Sequence, residues 1–253
     1  MTSSDTFHVK IFKVGRCQVP GPEVTWMRGW DTWEELHFHM VLAYNDSTNF
    51  LINTGLPEDL SVRNREMVLF AGERAVFEAR DSVSMLSAAG FRPEEIRNLS
   101  VTPIQDYTVG RMAEFRNARI FLPKRGWVED VVAQEDAEIK NRDLFMPPGV
   151  LSYIMFEARE RLVIYEDVDS ELVPGIRAIQ VGCHHRSSVI FVVRTPAGEV
   201  AFTDAAFKRK NVETMRPIGI AEDLRECLRA YRMLKGMRFF ALYDPDTPEG
   251  DIA

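Results

Sequence analysis

Histidine is the side chain whose protonation changes nearest neutral pH, and its imidazole is a common metal donor. The chain has five histidines. His184 and His185 are adjacent, His37 and His39 are two apart, and His8 stands alone. On an extended segment His37 and His39 share one face, opposite Phe38 and Met40. Such a pair could chelate an ion, but zinc-like ions need about three or four donors, and no third donor stands near in sequence. A polar strand face with hydrogen-bonded imidazoles explains the pair as well. His184-His185 falls in a loop, where adjacent side chains point in different directions, so the two need not serve one site. Cys183 precedes them. A reactive thiol needs a lowered pKa and partial exposure; the other reading is a small buried hydrophobe. Trp26, Trp30 and Trp33 read either as an aromatic wall over a pocket or as loop and interface packing.

The elements that must position these residues are legible from hydrophobic period and punctuation. His8–Val14 alternates weakly as a first strand. Val19-Pro20-Gly21-Pro22 reads as a loop. From Leu36 to Tyr44 apolar residues alternate, which predicts a strand. Asn45-Asp46-Ser47 supplies a turn, and Phe50–Ile52 returns as a strand that leaves through Gly55. Ser82–Ala89 predicts a helix closed by Gly90, and Pro93 with Glu94 and Glu95 opens another turn. Leu99–Thr102 and Ile120–Leu122 predict short strands. Further along, 161–165, 176–181, 189–193 and 199–203 read as strands, the last two joined as a hairpin over Thr195-Pro196-Ala197-Gly198. Ile220–Lys235 is the clearest helix, with Leu224, Leu228, Tyr231 and Leu234 on one face. Met237–Tyr243 reads as the last strand. Each half is strand-rich and then helical, which predicts an α/β class with two β-layers packed together and helices outside.

Composition limits the function. With 253 residues, 45% hydrophobic and 10% aromatic content, the chain can bury a large core, and we expect one domain over 1–253. A net charge of −7 argues against a nucleic-acid surface, which needs a basic footprint, and against docking on anionic lipid. Cys17, Cys183 and Cys227 show no paired spacing, so neither a disulfide framework nor a zinc knuckle is expected. The start of the chain is polar, without a signal-peptide pattern, and no apolar run reaches the length of a membrane span. The expectation is a cytoplasmic protein without a membrane or nucleic-acid partner. Two-fold oligomers being common, a homodimer is a mild expectation.

Four segments, in order, resemble the metallo-β-lactamase superfamily over most of the chain. Phe50-Leu51-Ile52-Asn53-Thr54-Gly55 is similar to the family's strand followed by Asp-Thr-Gly, with Asn in place of Asp. Ser100 to Gly110 stands where the family carries His-x-His-x-Asp-His after a strand. Val181-Gly182-Cys183-His184-His185-Arg186-Ser187-Ser188 resembles the Gly-His-Thr-x-Gly-Ser element, followed by a hairpin that ends at Thr203-Asp204-Ala205. The strand ending at Leu242-Tyr243-Asp244-Pro245 resembles the family's last strand, which ends in His-Asp-Pro. The layout is most similar to the N-acyl homoserine lactonases. The resemblance implies a four-layer αβ/βα sandwich, and a pocket where the strand ends meet, lined by Gln105, Tyr107, His184, Asp204 and Tyr243.

It also implies a paired metal site, and there the residues depart from the pattern. Pro103, Gln105, Tyr107 and Thr108 stand at the first motif's ligand positions, and Tyr243 stands at the last histidine position. Only His184 and the bridging carboxylate Asp204 are kept. Proline offers no side-chain donor, Gln and Thr are weak neutral donors, and tyrosine ligates only when ionised. No metal and no cofactor are therefore expected. Two readings of function remain, beside a third possibility in which one metal is held in a different arrangement by His184, Asp204 and one further residue. In one, the protein is a hydrolase of a small ester, lactone or related carbonyl compound. His184 is then the general base or acid, Asp204 orients it, and Tyr107 or Tyr243 stabilises oxyanion charge. Gln105, Asp106, Thr108 and His185 would bind the substrate. In the other, the protein is a catalytically silent relative that binds a small molecule or serves in regulation. The two phenols then fill the vacated volume, and His184 is held by Asp204.

Overall fold

The computed structural model describes residues 5–133, 141–166 and 168–252; the polar residues 1–4 lie outside it. Thirteen strands form two sheets. In chain order they are β1 His8–Pro20, β2 Trp33–Tyr44, β3 Asn49–Ile52, β4 Phe77–Ala79, β5 Asn98–Ser100, β6 Arg119–Pro123, β7 Leu162–Tyr165, β8 Asp169–Val173, β9 Ile176–Gln180, β10 Val189–Thr195, β11 Gly198–Thr203, β12 Arg238–Ala241 and β13 Gly250–Asp251. The first sheet runs β13-β1-β2-β3-β5-β6-β7, with β4 also on β1; the second runs β12-β11-β10-β9-β8.

The two-residue period of a strand explains the layering. Phe7, just before β1, and Val9 and Ile11 on it face one way and join Val41, Ala43, Phe50 and Ile52. On β10, Val189, Phe191 and Val193 meet that same cluster, so the sheets pack face to face. The alternate residues, Phe12 and Val14 of β1 and Ile190 and Val192 of β10, belong to a second core. Leu86 of the helix Ser82–Ala88 and Ala230, Tyr231 and Leu234 of the helix Leu224–Leu234 complete it. The architecture is therefore an α/β sandwich with helices on the outer faces, as the strand-then-helix rhythm predicts.

The details differ in places. The loop read at Pro20-Gly21-Pro22 contains a helical turn, Gly21–Val24, with Pro near its start where the missing N–H costs nothing. The helix read over 220–235 begins at Leu224, because Asp223 caps it by accepting from the N–H groups of Arg225 and Glu226 at 2.7 and 3.0 Å. The strand read over 237–243 as the last is β12, which stops at Ala241, so Tyr243 lies in the turn beyond it, and the short β13 follows and pairs with β1. The helix Ser61–Ala71 carries no apolar stripe and was not predicted: its buried residue is Arg63, while Leu69 and Phe70 are exposed.

The cysteine expectation is corrected outright. Cys183 and Cys227 form a disulfide across 44 residues. The bond ties the His184 loop to the helix Leu224–Leu234, so Cys183 is not a free thiol. Cys17 remains a buried thiol whose ionisation burial opposes. No helix among the described residues is long and apolar enough to cross a membrane.

Candidate functional site

The site forms at the C-terminal ends of β3, β5, β9, β11 and β12, where neighbouring strands release their chains side by side. Asn53 follows β3 with φ +64°, a conformation asparagine tolerates better than most residues. Its side chain joins three strands: Nδ2 donates to His39 O at 3.1 Å, and Oδ1 accepts from Thr102 N at 2.9 Å. Gly55 follows with φ +97°, and a Cβ there would lie 2.6 Å from Ser82 Oγ. The chemistry of β3's exit is thus structural, and it sets the height at which the Thr102 segment leaves β5.

At the centre, His184 Nδ1 and Asp204 Oδ2 are 3.1 Å apart. Asp204 also accepts from Ser188 Oγ on Oδ2 and from Thr102 Oγ1 on Oδ1, both at 2.5 Å. The carboxylate is fully buried, and each oxygen already has a donor within the chain. Thr102 and Ser188 are the partners that the motif reading omitted, although both stand inside the two segments that carry the resemblance. His185 turns away from its neighbour: its Nδ1 lies 3.0 Å from Glu222 Oε1, although the two imidazole centroids are only 4.1 Å apart. The two histidines thus have separate carboxylates, as expected for adjacent loop residues.

Tyr107 and Tyr243 close the site. Their rings meet edge to face with centroids 5.9 Å apart, and Phe38, Phe207 and His184 pack around Tyr243. Burial pushes both phenols well above the ordinary tyrosine value, and the neighbouring Tyr107 raises Tyr243 further. Tyr243 Oη has no partner at hydrogen-bonding geometry. Arg63, reaching in from the helix Ser61–Ala71, lies over the Tyr107 ring with its guanidinium carbon 5.0 Å from the centroid. It forms a buried ion pair with Asp106 and donates to Gln105 Oε1 at 3.0 Å. Thr108 Oγ1 donates within its own turn, to Pro103 O at 2.6 Å or Gln105 O at 2.8 Å.

The structure therefore brings the predicted residues together and buries them. Gln105, Asp106, Tyr107, Thr108, His184, Asp204 and Tyr243 are all at most 6% exposed. Only His185 among the candidates is partly accessible. The expected crevice is filled by the two tyrosine rings and by the Arg63 side chain, which no sequence pattern announced.

A metal pair does not fit this donor set. No group of three or more His, Cys, Asp or Glu side chains is disposed around a common point among the described residues. Asp204 spends its lone pairs on three internal donors, and Arg63 adds a buried positive charge beside the first motif. The pair at His37 and His39 is half satisfied. His37 Nε2 meets Glu35 Oε1 at 2.6 Å and His39 Nδ1 meets Leu242 O at 2.8 Å, while His37 Nδ1 and His39 Nε2 lack partners. Burial pulls His39 down to about 4, so it sits neutral.

No family model matches the chain, and no curated protein matches it. Solved structures do. A structure of an N-acyl homoserine lactone hydrolase, with N-hexanoyl-L-homoserine bound at its catalytic metal centre, superposes with a TM-score of 0.74 at 19% identity, covering 95% of both chains. A probable metal-dependent hydrolase from Staphylococcus aureus gives 0.74 at 13% identity, covering 96% of this chain and 91% of its own. A hydrolase of the β-lactamase superfamily gives 0.67 at 13% identity, covering 97% and 89%. The chain has the metallo-β-lactamase fold, and the similarity spans nearly its whole length. At these identities the likeness defines architecture, and the residues themselves must carry the function.

Proposed function

We infer that this protein is a non-hydrolytic version of the metallo-β-lactamase fold, kept as a scaffold for binding or regulation. The observation that carries the reading is the filled strand-end crevice. Tyr107 and Tyr243 stand at two of the positions that hold metals in the lactonase-like pattern, and a buried Arg63–Asp106 pair lies beside them. A hydrolase needs a route for its substrate to the base and a place for developing oxyanion charge. Here the base candidate, His184, is 3% exposed, and the phenols are packed against one another.

One observation favours the alternative of metal-free hydrolysis: the His184–Asp204 contact at 3.1 Å has the form of an oriented general base. A single experiment separates the two readings. Full-length protein and its His184→Ala variant are assayed against an N-acyl homoserine lactone and simple aryl esters, and metal content is measured by elemental mass spectrometry. The non-hydrolytic reading predicts no turnover above the variant and less than one ion per chain. His184-dependent turnover would establish the hydrolase, and two bound ions would mean that the ligand assignment fails.

A further inference from the structure

A second concavity lies away from the filled crevice, between the loop 25–32 and the segment 208–216. Its volume is about 480 Å³, within the range of small-molecule sites. Its walls are stitched together by the backbone. Trp26 N donates to Pro217 O at 2.9 Å, and Gly21 N donates to Thr32 O at 2.9 Å. The buried Asn211 amide donates to Val24 O at 2.8 Å and to Arg216 O at 3.2 Å. Gly21 is required here, since a Cβ would lie 2.5 Å from Gly29 O.

The charge in this concavity runs against that of the molecule. The whole chain carries a net charge of −7, yet Arg28, Lys208, Lys210 and Arg216 line the concavity with a single carboxylate, Glu34. That carboxylate is engaged by Lys208 at 2.5 Å. Arg28, Lys210 and Arg216 make no ion pair among the described residues. Three cations line one concavity with no carboxylate of their own, since Glu34 is engaged by Lys208, and a bound anion would offset their mutual repulsion. Guanidinium groups favour planar, bidentate contact with phosphate oxygens, and an ammonium adds a point charge. The hydroxyl of Thr25 stands on the same wall.

We propose that this concavity is a binding site for a ligand bearing a dianionic phosphate group, held by Arg28, Arg216 and Lys210. It gives the non-hydrolytic scaffold a ligand, and it stands on residues that the His184 crevice does not share. Trp26, Met27 and Trp30 are 49%, 58% and 68% exposed on the same loop. The phosphate can therefore belong to a free small molecule or to a lipid headgroup, and the test distinguishes these sources.

Full-length protein is titrated with inorganic pyrophosphate by calorimetry and by tryptophan emission, since Trp26 and Trp30 flank the site. In parallel it is sedimented with phosphatidylcholine vesicles, with and without phosphatidic acid. The expected result is saturable binding to pyrophosphate or selectively to the phosphatidic acid vesicles, the positive arm naming the source. Arg28→Ala and Arg216→Ala should each weaken that binding about tenfold or more, Arg28→Lys should restore it only in part, and the triple change with Lys210→Ala should abolish it. All three side chains are exposed, so thermal melts should not move. Absence of binding in both arms, or a triple variant that binds like the parent, would overturn the site. The hydrolysis assay with His184→Ala is read separately, so failure of either reading leaves the other standing.

Discussion

Replacing Tyr243 by Phe tests whether the strand-end crevice is simply core. Tyr243 is 2% exposed, its ring packs against Phe38, Tyr107, His184 and Phe207, and its hydroxyl makes no hydrogen bond of full geometry, its polar neighbour being the Tyr107 hydroxyl. On folding, the hydroxyl gives up water and gains in return only a poorly aligned contact with Tyr107, which leaves a cost of about 1–3 kcal/mol. Phenylalanine keeps the ring and removes that cost, so Tyr243→Phe should stabilise the protein by about 1–2 kcal/mol. In a chain of this length that corresponds to a rise in Tm of roughly 2–8 °C. Urea unfolding followed by circular dichroism would show the midpoint rising with an unchanged slope. If the variant is less stable by about 1 kcal/mol or more, the hydroxyl has a partner, Tyr107 Oη being the candidate, and the claim of an idle phenol fails. A variant that is more stable but loses a measurable turnover would instead make Tyr243 a functional donor kept at the expense of stability.

Three further outcomes follow from the same structure. Arg63→Met should destabilise by about 3–5 kcal/mol, because it strands Asp106 as a buried unpaired charge, whereas Arg63→Met with Asp106→Leu should recover most of the loss; equal losses in the single and double variants would contradict this. Burial without a partner for Oε1 raises Glu23 to about 7, so its contribution is complete below about 4.5 and is lost as pH rises through 7, a penalty on the order of 3 kcal/mol at high pH. Glu23→Gln should therefore be more stable than the parent at pH 8 and indistinguishable from it at pH 4, as read by urea midpoints; a constant offset at both pH values would refute the assignment. His39 acts in the opposite sense, since burial lowers it to about 4. Its contribution is complete above about 6.5 and fades as pH falls towards 4, so it offsets the Glu23 slope in the parent. Stability of Glu23→Gln should then rise by about 1.4 kcal/mol per pH unit between pH 4.5 and 6.5, and a flat profile would show that His39 is not the compensating group.

Much of the architecture was legible because strands with one face on each of two cores announce themselves by period. β2, β10 and β11 appear close to where alternation put them, and the order of strands and motifs led to the sandwich. The motif spacing likewise located His184, Asp204, Tyr107 and Tyr243 at one place in space. Local chemistry also told that adjacent His184 and His185 need not serve one site, and each meets its own carboxylate although their rings lie side by side.

What the sequence alone determined, then, was where the principal strands form and which motif positions converge. Tertiary structure decided whether the convergence leaves a cavity. The helix Ser61–Ala71 buries Arg63 and exposes Leu69 and Phe70, the reverse of the period by which helices are read, so its reach across Tyr107 had no local signal. Cys183 and Cys227 meet only because a helix docks beside the His184 loop, 44 residues away along the chain. The basic concavity belongs to the same class of fact: Arg28 and Arg216 are ordinary surface charges in the chain, and only the backbone bonds that join their loops set them around one space. Burial, charge convergence and cavity volume depend on contacts between residues distant in sequence, and such contacts exist only in the folded chain.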